Sequence, residues 1–317
     1  MVKINSIASL LADLKKNNFN EPENEKHYQS FFRGHSSDEY KFIPSILREN
    51  SLIENEHILT NDILIECSND FKDCFTNSER LVKMQHYGLA TRLLDITSNP
   101  LVALYFACYD EDEKNDDSDG HLIEINVHKT HIRPFDSDHV SILSALSRLD
   151  SESKIRLKMH ASKIISSGRM ITPSKIKDFN DITNPDNVEI AQLLHEIKKE
   201  KPAFENIINP SDLLEPCLFR PQKLNDRIIR QNGSFILFGL EFNADSIEPP
   251  IIWSEQKANK NGKPINYRIA SEHKIRIIPK DSKPAILEEL DLLGINEAYI
   301  YPELYKVADF INNKYKH

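Results

Sequence analysis

Residues 100–108 read PLVALYFAC, nine positions whose only polar side-chain groups are the Tyr105 hydroxyl and the Cys108 thiol. A run that opens on proline starts a helix well, because Pro presets φ for the first turn and its missing N–H is not needed there. Apolar on every side, such a helix has no face to give to water and has to lie inside protein. This limits the fold, because other elements must surround the helix. Directly before it stands HYGLATRLLDITSN, residues 86–99, dense in polar groups. Ser98 or Asn99 can cap the helix, and a helix start with free N–H groups beside the Thr97 and Ser98 hydroxyls suits an anion or a phosphate. TRLLDIT (91–97) reads as a short strand or extended turn. With a period of two, Arg92 and Leu94 share one face, and Leu93, Asp95 and Thr97 the other. Arg92 and Asp95 then either serve a site at the helix mouth or serve the fold, Asp95 as a cap and Arg92 as an ion-pair partner.

The rest of the chain supplies the surroundings. Residues 4–16 read as a short amphipathic helix with Ile4, Ile7, Leu10, Leu11 and Leu14 on one face. Strands are expected at 27–34, 121–127, 233–242 and within 267–279. Helices are expected over most of 57–84, over 99–109, over 282–293 with Pro284 near its start and Gly294 just past its end, and at the C-terminus. Residues 139–215 are helix-rich with no β signal and read as a helical insert or lobe within a single domain spanning 1–317. Strands and helices mix without regular alternation, which favours an α+β class with a mixed sheet core.

Composition narrows the function classes. The chain has 317 residues and a net charge of -9, which argues against nonspecific nucleic-acid binding over the whole surface. No run of about 18 apolar residues exists, so no membrane partner is expected. The N-terminus is too polar for a secretory signal. Cys67, Cys74, Cys108 and Cys217 form neither a CxxC nor a zinc spacing, and read as buried thiols of a cytoplasmic protein, Cys67 and Cys74 on one helix face. His128 and His131 lie close together but lack a second ligand pair, so no metal is assigned. The acidic run 110–120 reads as a solvated loop. Lys257, Lys260, Lys263, Arg268, Lys274, Arg276 and Lys280 read either as a solvated loop or as a local phosphate-binding patch.

Two further polar knots stand out. In FFRGHSSDEYKFIPSILR, Arg33 follows two aromatics and precedes Gly34, which permits close backbone approach. Arg33 is either an ion-pair residue or a ligand contact. In RIIRQNGSFILFG, Asn232-Gly233 reads as a hairpin turn, while Gln231, at the strand start, either belongs to that turn or faces a cleft. Glu297, in GINEAYIYPEL, is a further candidate carboxylate or a surface residue.

These two stretches, with QHYGLATRLLDITSNPLVALYFA between them, resemble the three signature blocks of the FRG domain, named for its Phe-Arg-Gly. KIRIIPKDSKPAILEELDLLGINEAYIYPEL is similar to the family's C-terminal block, so the resemblance runs over roughly residues 20–310. The order of the blocks also resembles that of ADP-ribosyltransferases: an Arg on a first strand followed by Gly (Arg33, Gly34), then a Ser/Thr segment running into a helix with a later Ala and Phe (Thr97, Ser98, Ala103, Phe106), then a third block. Where those enzymes place a catalytic Glu, this chain has Gln231.

The resemblance implies an ADP-ribosyltransferase-like fold, NAD as cofactor, and a catalytic set of Arg33, Ser98 and Gln231. Gly34, His86, Tyr87, Arg92, Asp95 and Thr97 would bind the cofactor: Arg33 or Arg92 on phosphate through bidentate donors, Tyr87 stacked on a ring, His86 on a ribose hydroxyl. The implied functions are a nucleotide-dependent transferase or NAD-cleaving protein, or else a non-catalytic module that binds a nucleotide or nucleic acid. The family context implies bacterial phage defence, with the protein or nucleic-acid target left open.

Overall fold

The computed structural model describes residues 1–18, 27–110, 117–166, 171–242 and 272–315, together with 246, 248–249, 257–258 and 264–265. Lys260, Lys263, Arg268 and most of the acidic run at 110–120 lie outside the described residues. The strands are β1 (Val2–Lys3), β2 (Tyr28–His35), β3 (Leu93–Thr97), β4 (Gly120–His128), β5 (Ile132–Pro134), β6 (Cys217–Arg220), β7 (Gly233–Leu237), β8 (Lys257–Ala258), β9 (Pro264–Ile265) and β10 (Glu272–Ile278). Eight of them form one mixed sheet in the order β1-β10-β4-β2-β3-β7-β6-β5, and β8 pairs with β9 separately. The pair at each edge of the large sheet is parallel and the interior pairs are antiparallel.

β2 sits near the middle of this sheet, and its side chains alternate as strand geometry requires. Phe31 goes to the core on one face with Phe42, Ile96 and Ile125. Phe32 goes to the other, against the helix Pro100–Cys108. That helix is buried all round: Val102, Ala103, Leu104 and Ala107 have no exposure. It comes so close to the sheet that a Cβ on Gly34 would lie 1.9 Å from the Ala103 carbonyl oxygen and 2.5 Å from the Ala107 nitrogen. On the neighbouring strand β4, a Cβ on Gly120 would lie 2.1 Å from the Ala107 carbonyl oxygen. The two glycines form a seat on which helix backbone rests directly against strand backbone.

Residues 139–215 are helical apart from their connections, among the described residues, with Asp138–Ala145, Ser151–Ser166, Pro173–Phe179, Val188–Glu200 and Pro210–Leu214 as the helices. Their apolar faces share one core with Leu93, Phe219, Phe235 and Leu237 of the sheet.

Several expected boundaries shift. The 57–84 helix is two helices, Glu56–Glu66 and Asn77–His86, separated by a 3-10 turn; the second starts at a capping box built by Thr76 and Glu79. Cys67 and Cys74 therefore do not share a helix face: Cys67 is exposed and Cys74 half-buried, while Cys108 and Cys217 are buried thiols pushed up to about 12 by burial. The 233–242 strand stops at Leu237. Asn232 does not open a hairpin: it adopts a left-handed conformation, φ 47°, and ends the helix Asp226–Gln231. The basic stretch near the C-terminus is partly spent on the fold. Arg276 is fully buried, with Nε 2.6 Å from Asp13 Oδ2 and Nη2 2.7 Å from Glu124 Oε2, and Lys274 also binds Asp13. No helix among the described residues is long and apolar enough to cross a membrane.

Two outcomes follow. Gly34→Ala should cost about 3 kcal/mol or more, because the new methyl meets backbone that cannot rotate away; denaturant unfolding measures it. Glu215 sets a pH dependence. Burial, then Asp212 and Glu241, push its pKa from the ordinary 4.5 to about 7. The folded protein therefore holds this proton more tightly than the unfolded chain does, so the contribution to stability is full below 4.5 and is lost as pH rises towards 7. Glu215→Gln should flatten the fall in Tm across that window.

Candidate functional site

A cavity of about 200 Å³ lies where β2, β3 and β7 meet the Pro100–Cys108 helix and the helices Asn77–His86 and Asp226–Gln231. Its walls include Arg33, Gly34, His86, Asp95, Thr97 and Gln231. β2 and β3 pair at one register point only, Phe32 opposite Thr97, and the Arg33 guanidinium bridges the two strands beside it. Arg33 Nη1 donates to the Asp95 carbonyl oxygen at 2.6 Å, and Nε donates to His35 Nε2 at 2.9 Å. His35 can accept because burial, reinforced by the charge of Arg33, lowers its pKa to about 2. Arg33 is itself lowered by burial to about 10 and stays protonated at neutral pH. Its Nη2 has no protein hydrogen-bond partner among the described residues.

Asp95 is exposed to the cavity, and its Oδ2 accepts from Gln85 Nε2 while Gln85 Oε1 accepts from the Thr91 hydroxyl. This chain fixes the carboxylate without neutralising it. His86 lines the opposite wall, with Nε2 3.3 Å from Glu303 Oε1. Burial and the nearby Arg227 lower its pKa despite Glu303, so the ring is neutral at neutral pH. Arg227 also lines the cavity, with its guanidinium 4.9 Å from the centroid of the Tyr301 ring. It has no hydrogen bond within the protein among the described residues, so its donors remain free. Phe32, Phe106 and Phe235 supply apolar wall.

Thr97 and Gln231 also face the cavity, with the Thr97 hydroxyl and one donor of the Gln231 amide committed within the protein. The Thr97 hydroxyl donates to the Gln231 carbonyl oxygen at 2.5 Å and accepts the Asn99 N–H at 2.9 Å. The Gln231 amide donates to the Ile300 carbonyl at 3.0 Å.

Three expected contacts lie elsewhere. Ser98 is exposed outside the cavity walls, its backbone N–H 3.3 Å from the Asn232 carbonyl. The helix start beside it is not an open anion site, because Asn99 Oδ1 takes the Leu101 N–H and the Asn99 carbonyl takes the Ala103 N–H. Tyr87 is 68% exposed and packs edge-on against His86 without lining the cavity. Arg92 is buried away from it. Its Nε lies 2.7 Å from Glu56 Oε1, Nη2 binds Glu56 Oε2, Nη1 donates to the Phe238 carbonyl at 2.8 Å, and Lys154 adds a second cation on Glu56 at 2.7 Å. The period-two alternation already separates Arg92 from Asp95 and Thr97. Glu297 opens the short helix Glu297–Ile300 and is not among the cavity walls. Among the described residues, no group of three His, Cys, Asp or Glu is placed to hold a metal.

Residues 28–116 match the family model of the FRG domain. The chain carries an FRG domain. This stretch supplies Phe32, Arg33, Gly34, Gln85, His86, Asp95, Thr97 and the buried helix, so the Phe-Arg-Gly triplet forms cavity wall and helix seat together. The remaining wall, Asn225 to Phe235, lies beyond the matched residues. The comparisons with curated proteins and with solved structures return no match, and the likeness to ADP-ribosyltransferases rests on the sequence blocks alone.

Gln85 and Arg227 were not among the residues singled out from the sequence, although both open quoted blocks, QHYG and RIIRQNG. Arg227 stands four residues before Gln231, one helical turn away. That spacing is a usable signal only once 226–231 is known to be a helix.

Glu56 carries the fold on this side of the site. Two buried cations depend on its carboxylate, and their attraction outweighs the burial that would otherwise raise its pKa. Glu56→Ala should cost about 3–5 kcal/mol, the cost of stranding buried charge, and thermal unfolding reads it directly.

Proposed function

We propose that this cavity binds a nucleotide. The observation that carries the reading is the meeting of two guanidinia and one carboxylate, with aromatic wall, in a single recess. Arg227 and the free Nη2 of Arg33 offer planar donors to phosphate. Phe32, Phe106 and Phe235 suit a ring. Arg227 takes the phosphate role that the sequence resemblance gave to Arg92. The volume of about 200 Å³ lies below the roughly 300–1,000 Å³ of sites that enclose a drug-sized ligand. One end of a dinucleotide is therefore held inside, and the rest runs out past Arg227.

With NAD as that dinucleotide, the reaction is cleavage or transfer at the N-glycosidic bond. The ribose C1′–N bond breaks, nicotinamide leaves with the electron pair, and water or an acceptor nucleophile forms the new bond to C1′ and loses its proton to solvent. The oxocarbenium-like state between these events is cationic. Asp95 is the carboxylate available to stabilise it, in place of the Glu absent at Gln231. Neutral His86 is suited to a ribose hydroxyl.

A second reading is a nucleotide-binding or sensing module without chemistry. One observation favours it: one donor of the Gln231 amide is spent on Ile300, and Asp95 is the sole carboxylate lining the cavity among the described residues.

Calorimetric titration with NAD, ADP-ribose and ATP separates these readings. Binding of NAD or ADP-ribose should weaken at least about tenfold in Arg227→Ala, the loss of a charge-assisted contact. Nicotinamide release abolished by Asp95→Asn with binding retained identifies an enzyme; binding with no release at any concentration identifies a sensor. No heat with any of the three ligands from folded protein overturns both.

A further inference from the structure

A second cavity lies away from the first, between the helices Asn77–His86 and Val188–Glu200, with a volume of about 370 Å³. Its charged lining is Lys72, Arg80, Arg148 and Lys199 against Glu196 and Glu200, an excess of two cations. Of the two carboxylates, Glu196 is paired with a lysine, while Glu200 keeps one buried oxygen, Oε1, without a hydrogen-bond partner among the described residues. Glu196 holds Lys199 at 2.6 Å, and Glu200 accepts the Asn77 N–H at 2.7 Å, at the start of a ten-residue helix. Burial raises the Glu200 pKa above its ordinary value.

The cations are less well served. Arg148 Nε reaches no closer than 3.9 Å to Glu196, and its buried Nη1 has no hydrogen-bond partner. A guanidinium N–H left in that state is costly, and native proteins rarely leave one. Arg80 donates only to the Asn77 side chain and the Cys74 carbonyl, both at 3.2 Å, and forms no close ion pair among the described residues, although its charge acts on Glu200. The two arginines are close enough for Arg80 to depress the Arg148 pKa. Lys72 is exposed at the rim with no protein partner among the described residues. Leu64, Phe71 and Phe75 complete the wall with apolar surface.

We propose that this cavity is a binding site for a phosphate monoester. The doubly charged phosphate sits between Arg148 and Arg80, accepting from the guanidinium donors that face the cavity, and the organic group it carries lies against the apolar wall. Phosphate offers three acceptor oxygens and the charge that two guanidinia and a lysine lack. The volume exceeds what the phosphate alone needs, which is why the ligand is an ester and not the free ion. The site is independent of the nucleotide reading above, because it shares no wall residue with the first cavity.

The test is calorimetric titration of the full chain at fixed ionic strength with inorganic phosphate, O-phosphoserine and AMP. Saturable binding of at least one ester is expected, weakened about tenfold in Arg148→Gln, weakened also in Lys72→Gln, and unchanged in Arg227→Ala. Lys72 is exposed and unpartnered, so its variant keeps the test valid if Arg148→Gln fails to fold. Tighter binding of one ester identifies the source of the phosphate. Binding lost in Arg227→Ala but kept in both cavity variants assigns the phosphate to the first site and overturns the proposal. Absence of saturable binding by any of the three probes also overturns it, whatever the first cavity binds.

Discussion

The contact between Gly34 and the backbone of Ala103 is the constraint on which the rest of the molecule depends. A helix with no polar face has to be enclosed, and here the enclosure is closer than side chains would allow. Gly34 and Gly120 let helix backbone rest on two adjacent strands, and the apolar cluster of Ile4, Leu10, Ile286, Leu290 and Ile300 closes over the other side. The same seat fixes the cavity. Ala103 and Phe106 become one wall because the helix cannot lift from the sheet, and Arg33, one residue before the seat, is held at the opening between β2 and β3. The Phe-Arg-Gly triplet thus joins a core anchor, a guanidinium and a backbone contact in three consecutive positions.

Arginine plays two separate parts here, and the presence of a carboxylate partner decides which. Arg92 and Arg276 are fully buried and meet carboxylates on Glu56, Asp13 and Glu124. A guanidinium in that setting is stabilised only while its partners are present, and it contributes to holding elements in register. The Arg92–Glu56–Lys154 cluster ties β3 to the helices Glu56–Glu66 and Ser151–Ser166. The Arg276 cluster ties β10 and β4 to the first helix. Arg276 also keeps one unpartnered donor, Nη1, but it is buried; among the described residues, Arg33 and Arg227 differ in lacking a carboxylate ion pair and in lining a cavity. That contrast, more than the presence of arginine, is what supports the proposal of an anionic ligand in the recess.

Much of the fold was legible because its signals are local. The Pro100 helix, the strand through Phe31 and Phe32, the helical stretch 139–215 and the mixed architecture all follow from periodicity and capping. Strands β5 and β6 were missed: they are three and four residues long, too short for alternation to register. The hairpin expected at Asn232-Gly233 failed because Asn tolerates the left-handed conformation at a helix end as readily as in a turn. Within the site, alternation placed Asp95 and Thr97 together and Arg92 apart from them, and those placements hold. The role assigned to Arg92 could not be judged from the sequence, because Glu56 lies 36 residues from Arg92 and Lys154 lies 98 residues from Glu56. Arg227 was overlooked for the same physical reason, since its value comes from standing over Tyr301 at the far end of the chain.

The most direct test of the central claim, that a nucleotide enters the recess at the junction of β2, β3 and β7, is amide hydrogen exchange with and without ADP-ribose. Slowed exchange confined to β2 around Arg33, to β3 around Asp95, to the Asp226–Gln231 helix and to the Ile300–Glu303 segment that packs on it is the predicted result. Protection elsewhere with these segments unchanged would contradict the account.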